Sequence, residues 1–88
     1  MGNKMLQRYL KALAGGTRLS ILRFLKKKKS STVSGIAQSI LRSLPTTSLH
    51  LSQLESLGIV ERRQRRSRVF YRLSLAQHPL VAFVLKNL

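Results

Sequence analysis

The stretch Pro45-Thr-Thr-Ser-Leu-His-Leu-Ser-Gln-Leu-Glu-Ser-Leu-Gly-Ile-Val60 constrains the fold of this chain more than any other. It reads as one helix running directly into a strand. On a wheel of about 100° per residue, Thr47, Leu51, Leu54 and Leu57 gather on one side, with Leu44 close by. Pro45, Thr46, Leu49, Ser52, Gln53 and Ser56 gather on the other. The first side needs a core to cover it. The second carries hydroxyls, an amide and one leucine, with no charge. A helix that only has to stay soluble usually carries Lys and Glu outward. A small, neutral, hydrogen-bonding face suits close approach to base edges in a major groove. The plain alternative is an amphipathic core helix with a bland exterior.

What flanks this helix restricts it further. Upstream, Gly35 to Leu41 carries Ile36, Ala37, Ile40 and Leu41 at helical spacing, with Ser34 as the expected N-cap. Ser43 caps the next helix, and Pro45 sits in its first turn, where a missing N–H matters little. The Arg42-Ser43 joint is so short that the two helices must cross sharply, as in a helix-turn-helix unit. Downstream, Gly58 ends the helix, and Ile59–Gln64 and Arg68–Leu73 read as two strands. In the second, Val69, Tyr71 and Leu73 alternate with Arg68, Phe70 and Arg72. Neither glycine nor asparagine eases the Arg65-Arg66-Ser67 turn, so a mobile, loosely defined tip is expected there.

The rest is mostly helical. Met5, Leu6, Tyr9, Leu10 and Leu13 make a one-faced helix over 3–14, which Gly15-Gly16 is expected to end in a left-handed turn. Thr17 is the expected N-cap of a second helix. Leu19, Ile21, Leu22, Phe24 and Leu25 make that helix apolar on most sides, which predicts the buried centre of the domain. Lys26 to Lys29 then read as a solvated, cationic helix end, the alternative being contact with a distant phosphate or an acidic partner. Ser30–Val33 is β-branched enough for one short strand. Pro79 starts a last helix, Leu80 to Leu88, nearly all apolar and too short to span a bilayer. Five helices and two or three strands in 88 residues predict a single, mainly α domain over 1–88.

Charge narrows the partners. Seventeen Lys and Arg face two acids, Glu55 and Glu61, for a net charge of +15. Solubility does not require so one-sided a balance. Nucleic acid is the expected polyanion, because Arg62, Arg63, Arg65, Arg66, Arg68 and Arg72 cluster in the ribbon with Phe70 and Tyr71 among them. About six phosphate contacts would give a slope of log K against log salt near −5. A charged edge that blocks strand-to-strand aggregation would explain one or two of these arginines.

Catalysis finds little support. Glu55, Glu61, His50 and His78 are scattered over three elements. They form neither a convergent acid–base pair nor a metal-ligand spacing. No phosphate-binding glycine loop follows a strand. Without cysteine there is no disulfide and no thiolate site. No enzyme activity, cofactor or metal is expected, and neither a signal peptide nor a membrane span. His50 borders the apolar face, either as a hydrogen-bonded, partly buried histidine or as a phosphate contact. His78 reads as a helix-start residue. Leu49 either touches a thymine methyl or packs on a neighbouring element.

Three segments carry a family resemblance. Lys11-Ala-Leu-Ala-Gly-Gly-Thr-Arg-Leu-Ser-Ile-Leu-Arg-Phe-Leu25 resembles the K-A-L-A-D-P-T-R-L-x-I-L-x-x-L opening of the ArsR/SmtB repressors. Pro45 to Leu54 with Leu57-Gly-Ile-Val60 resembles their S-x-H-L-x-x-L-x-x-x-G-L-V helix, and Phe70-Tyr-Arg-Leu-Ser74 their Y-Y-R-L-S strand. The register needs no gap from Lys11 to Ser74. The resemblance implies a winged helix-turn-helix homodimer. Helix 44–57 would lie in the major groove and the ribbon 59–73 would be the wing. The end helices would meet across the dimer through Met5, Leu6, Tyr9, Leu10, Leu80, Phe83, Val84 and Leu88. The chain departs from the family where metal sensors keep cysteines, here Thr32-Val33-Ser34-Gly35, and where others keep acids and histidines, here Leu80–Leu88. Metal sensing is therefore not carried over.

The combined expectation is a sequence-preferring regulator of double-stranded DNA, a repressor by resemblance, inside a cell or a virus-infected host. Thr46, Ser48, Leu49, Ser52 and Gln53 would face bases. Ser43, His50, Arg62, Arg63, Arg65, Arg66 and Arg68 would hold the backbone. A nonspecific packaging protein on the same fold is the alternative.

Overall fold

Leu19, Ile21, Leu22, Phe24 and Leu25 make the second helix the centre of the molecule. The computed structural model describes residues 2–88. The order is α1 (Gly2–Leu13), α2 (Gly16–Lys28), β1 (Ser30–Ser31), α3 (Val33–Ile40), α4 (Leu44–Ser56), β2 (Val60–Arg65), β3 (Arg68–Leu73) and α5 (Pro79–Lys86). Ile21, Leu22 and Leu25 of α2 are sealed from solvent. Around them pack Ile36 of α3, Leu51 and Leu54 of α4, Val60 and Tyr71 of the ribbon, and Val81 of α5. Leu44, expected near this core, instead stands half exposed, because it opens α4 one turn beyond the buried row that starts at Thr47.

The helix starts differ from expectation in two places. Thr32, not Ser34, caps α3, its Oγ1 accepting the Gly35 N–H at 3.2 Å. Gly15, not Thr17, occupies the cap position of α2, with φ −87° and no side-chain bond. Gly15 is therefore not left-handed, and neither is Gly16. In both cases a cap-forming residue lay nearby in sequence, and tertiary packing set where the helix began. Ser43 caps α4 as expected, accepting the Thr46 N–H at 3.2 Å. Behind it, Leu41 adopts a left-handed conformation at φ 58°. The Arg42 N–H then reaches back to the Ala37 carbonyl at 3.1 Å. This closure turns the chain between α3 and α4 within three residues.

The sheet is antiparallel with order β1-β3-β2. Its ladder runs without interruption from Val60↔Leu73 to Arg65↔Arg68. The expected loose tip is thus a tight two-residue turn, Arg66-Ser67, in which the Gln64 amide donates to the Arg66 carbonyl at 3.2 Å. The turn needs a positive φ at its first residue, and Arg66 supplies it at 59°. A side chain there costs about 1 kcal/mol relative to glycine. Arg66→Gly is accordingly expected to stabilise the fold by roughly 0.5–1 kcal/mol in urea unfolding. A lowered midpoint would show that Arg66 is not strained.

Candidate nucleic-acid interface

The outward side of α4 is what its pattern requires. Thr46, Ser48, Leu49, Ser52 and Gln53 are all exposed, while Thr47, Leu51 and Leu54 are buried. Thr47 is fully buried and remains satisfied because its hydroxyl donates to the Ser43 carbonyl at 2.8 Å. Leu49 is 59% exposed and stands outside the packed core. A free leucine in a row of hydroxyls is available to an apolar base edge.

The ribbon lies beside this helix and is tied to it. Arg62 Nε meets the Glu55 carboxylate of α4 at 3.3 Å, and Arg72 pairs with Glu61 directly across the β2–β3 ladder at 2.5 Å. Both acids of the chain are therefore occupied by arginines. Arg63, Arg65, Arg66 and Arg68 have no acidic partner among the described residues, and each is exposed.

A third cationic feature was not expected from the sequence. Arg18 of α2 and Arg42 of the α3–α4 joint both bring positive charge to His50. Gly16, Thr17, Ser20, Ile40 and Arg42 line a concavity of about 330 Å³ in the same region, where α2 begins and α3 ends. The Thr17 and Ser20 hydroxyls and the Arg42 guanidinium beside a helix start suit a phosphate. Arg18 stands in the Thr-Arg-Leu run that carried the resemblance, and that motif was the available signal. That it and Arg42 both act on His50 depends on tertiary structure.

His50 is half-buried, and its Nδ1 has no hydrogen-bond partner among the described residues. Burial first, then repulsion from Arg18 and Arg42, hold its pKa below the usual imidazole range, with the Gln53 side chain opposing them. The sign follows directly. The unfolded chain binds the proton more readily, so stability falls as pH drops through about 6.5 and below. His50→Gln should flatten this loss in thermal melts between roughly pH 7 and 5. An unchanged slope would remove His50 as its source.

The end helices present a different surface. Met5, Leu6 and Leu10 on α1 are 42–50% exposed, and Phe83 on α5, which packs against α1, is 65% exposed. Tyr9, Leu80, Val84 and Leu88 are partly buried against the molecule's own core. The Tyr9 hydroxyl donates to the Leu57 carbonyl at 3.2 Å, and its ring stacks on His78 at 4.4 Å. His78 caps α5, its Nδ1 accepting the Leu80 N–H at 3.0 Å. Lys26 is not simply solvated: its Nζ donates to the Leu85 carbonyl near the end of α5 at 2.6 Å.

Comparison with known families settles what this arrangement belongs to. The model of the bacterial regulatory protein arsR family matches residues 15–62, more than half of the chain. The chain belongs to the ArsR family. Among solved ArsR-like structures, it is 34% identical to the homodimeric winged helix-turn-helix DNA-binding domain of Mb0332 from Mycobacterium bovis, a possible ArsR-family regulator. That match covers 96% of this chain and 74% of the other, with a TM-score of 0.79. It is 27% identical to NolR from Sinorhizobium fredii, covering 98% and 82% at a TM-score of 0.84. It is 28% identical to the transcriptional repressor BigR from Xylella fastidiosa, covering 97% and 83% at 0.76. No curated protein sequence matches the chain significantly. The fold is thus the winged helix-turn-helix, with α3 and α4 as the helix pair and β2–β3 as the wing. The family, Mb0332 and BigR are described as transcriptional regulators, not enzymes. No helix among the described residues is long and apolar enough to cross a membrane, and no three or more His, Cys, Asp or Glu side chains cluster there within one chain.

Proposed function

We propose that this protein is a homodimeric repressor that binds double-stranded DNA with sequence preference inside the cell. The observation that carries this is the exposed, uncharged row Thr46, Ser48, Leu49, Ser52 and Gln53 on a helix otherwise held by its buried face. In this reading α4 enters the major groove and those side chains meet base edges. Of the backbone contacts expected from the sequence, Ser43, His50, Arg62 and Arg66 hold the duplex phosphates in this reading, joined by Arg18 and Arg42, while Arg63, Arg65 and Arg68 stand on the ribbon face opposite to Arg62. The exposed apolar side chains Met5, Leu6, Leu10 and Phe83 support pairing with a second copy, which places two α4 helices ~34 Å apart or a multiple of it.

The test separates reading from holding. Gln53→Ala is expected to reduce discrimination between a selected palindrome and a scrambled duplex by about 5- to 100-fold, the range for one base contact. Arg66→Gly is expected to weaken both duplexes alike and to lower the salt slope by about 1. Site preference left intact by Gln53→Ala would sink the base-reading assignment. A second reading, nonspecific packaging, is favoured by the net charge of +15. An affinity ratio near one for palindrome against random genomic DNA would establish it.

A further inference from the structure

The ladder sorts the ribbon's side chains onto two faces. Val60, Arg62, Gln64, Val69, Tyr71 and Leu73 share one, which turns toward the helices: Val60 and Tyr71 are buried and Arg62 reaches Glu55 of α4. The other face is turned away from α4. On it Arg65 stands opposite Arg68, Arg63 opposite Phe70, and Glu61 opposite Arg72, with Ser30 of β1 beside Arg72. This face holds a concavity of about 450 Å³, lined by Ser30, Arg63, Arg65, Phe70 and Arg72, with Gln64 of the other face reaching its edge. Glu61 neutralises Arg72, which leaves Arg63, Arg65 and Arg68 as the uncompensated charges. Phe70 is half-buried among them, and the Arg68 guanidinium lies over its ring at 5.6 Å from the centroid. The Arg68 guanidinium covers that ring face, so a planar π partner stacks there by displacing it.

We propose that this outward sheet face is a second nucleic-acid site that takes an unpaired strand, with a base stacked on Phe70 and neighbouring phosphates on Arg63, Arg65 and Arg68. Three cations on two rungs of one face match a chain of phosphates better than one anion. The phenyl ring distinguishes the strand type. A duplex keeps its bases stacked inside and offers a phenyl ring nothing, whereas an unpaired base stacks on any exposed aromatic face. The site lies away from α4, so it is compatible with a duplex bound there. A repressor so built holds its duplex with one surface and an adjacent unwound segment or transcript with another.

The test uses the full chain and a labelled thymidine oligonucleotide of about eight residues, read by fluorescence anisotropy. With unlabelled palindromic duplex at saturation, the oligonucleotide is expected to bind within about twofold of its duplex-free affinity. Phe70→Leu, checked for an unchanged melting transition, is expected to weaken the oligonucleotide by roughly 5- to 100-fold and leave the duplex unchanged. Arg63→Ala, which does not touch the core, should also weaken the oligonucleotide selectively. Displacement of the oligonucleotide by duplex would overturn the proposal. So would equal binding by thymidine monophosphate, or loss of both ligands together in either variant. Binding of the oligonucleotide but of no duplex would uphold this site and overturn the reading of α4.

Discussion

Replacing Phe83 with glutamate is expected to split the proposed dimer and reduce affinity for a palindromic duplex by about 100-fold or more. Phe83 is 65% exposed on α5, beside Met5, Leu6 and Leu10 of α1. A buried aromatic anchor in an interface typically contributes about 2–4 kcal/mol, and a carboxylate there must also be desolvated. The fold should tolerate the change, because α5 is held from its other side by Val81, which is fully buried. Sedimentation gives the mass and titration of whole and half palindromes gives the affinity. The variant should bind both with similar, weak affinity, since the gain from two linked half-sites is lost. A monomeric variant that still preferred the whole palindrome by the original ratio would show that pairing does not run through this face.

Leu22→Ala is expected to destabilise the domain by about 3 kcal/mol, a loss on the scale of a buried leucine leaving a cavity. Leu22 has no solvent exposure, and its helix meets α1, α3, α5 and the sheet, so the surroundings cannot collapse from one side. An 88-residue chain has on the order of 5–10 kcal/mol to lose. Urea unfolding should show the midpoint falling with little change in slope. Saturating duplex should restore part of the loss, because only the folded state binds it. A loss below about 1 kcal/mol would mean that the centre of the fold lies elsewhere.

The sequence made the helical pair and the ribbon legible because each is a local pattern. The face of α4 followed from its period, and the α3–α4 crossing from a two-residue joint flanked by a serine cap and a proline. The pairing of β2 with β3 followed from alternation. What stayed illegible depended on distant partners or local strain. Tyr9 meets Leu57 and His78 across most of the chain. Arg18 and Arg42 act on His50 together only after α2 and α3 have packed. The tip was expected to be loose because Arg66 is a poor residue for its φ, yet the ladder on both sides closes the turn despite the strain. Thr32 overtook Ser34 as a cap because β1 pairs with β3 and fixes where the chain can begin to coil.

That two-residue tip also guards against misfolding. Strand side chains alternate, so a slip of one residue between β2 and β3 would carry Arg68, Phe70 and Arg72 to the core side and leave Val69, Tyr71 and Leu73 in water. Every such mispairing sets guanidinium groups against Leu22 and Ile36 while presenting an apolar strand to other chains. By closing between Arg65 and Arg68, the turn commits the ribbon to one register as it forms, before the helices have to test it. The wing therefore carries its own protection against aggregation, written in charge on one side and in grease on the other.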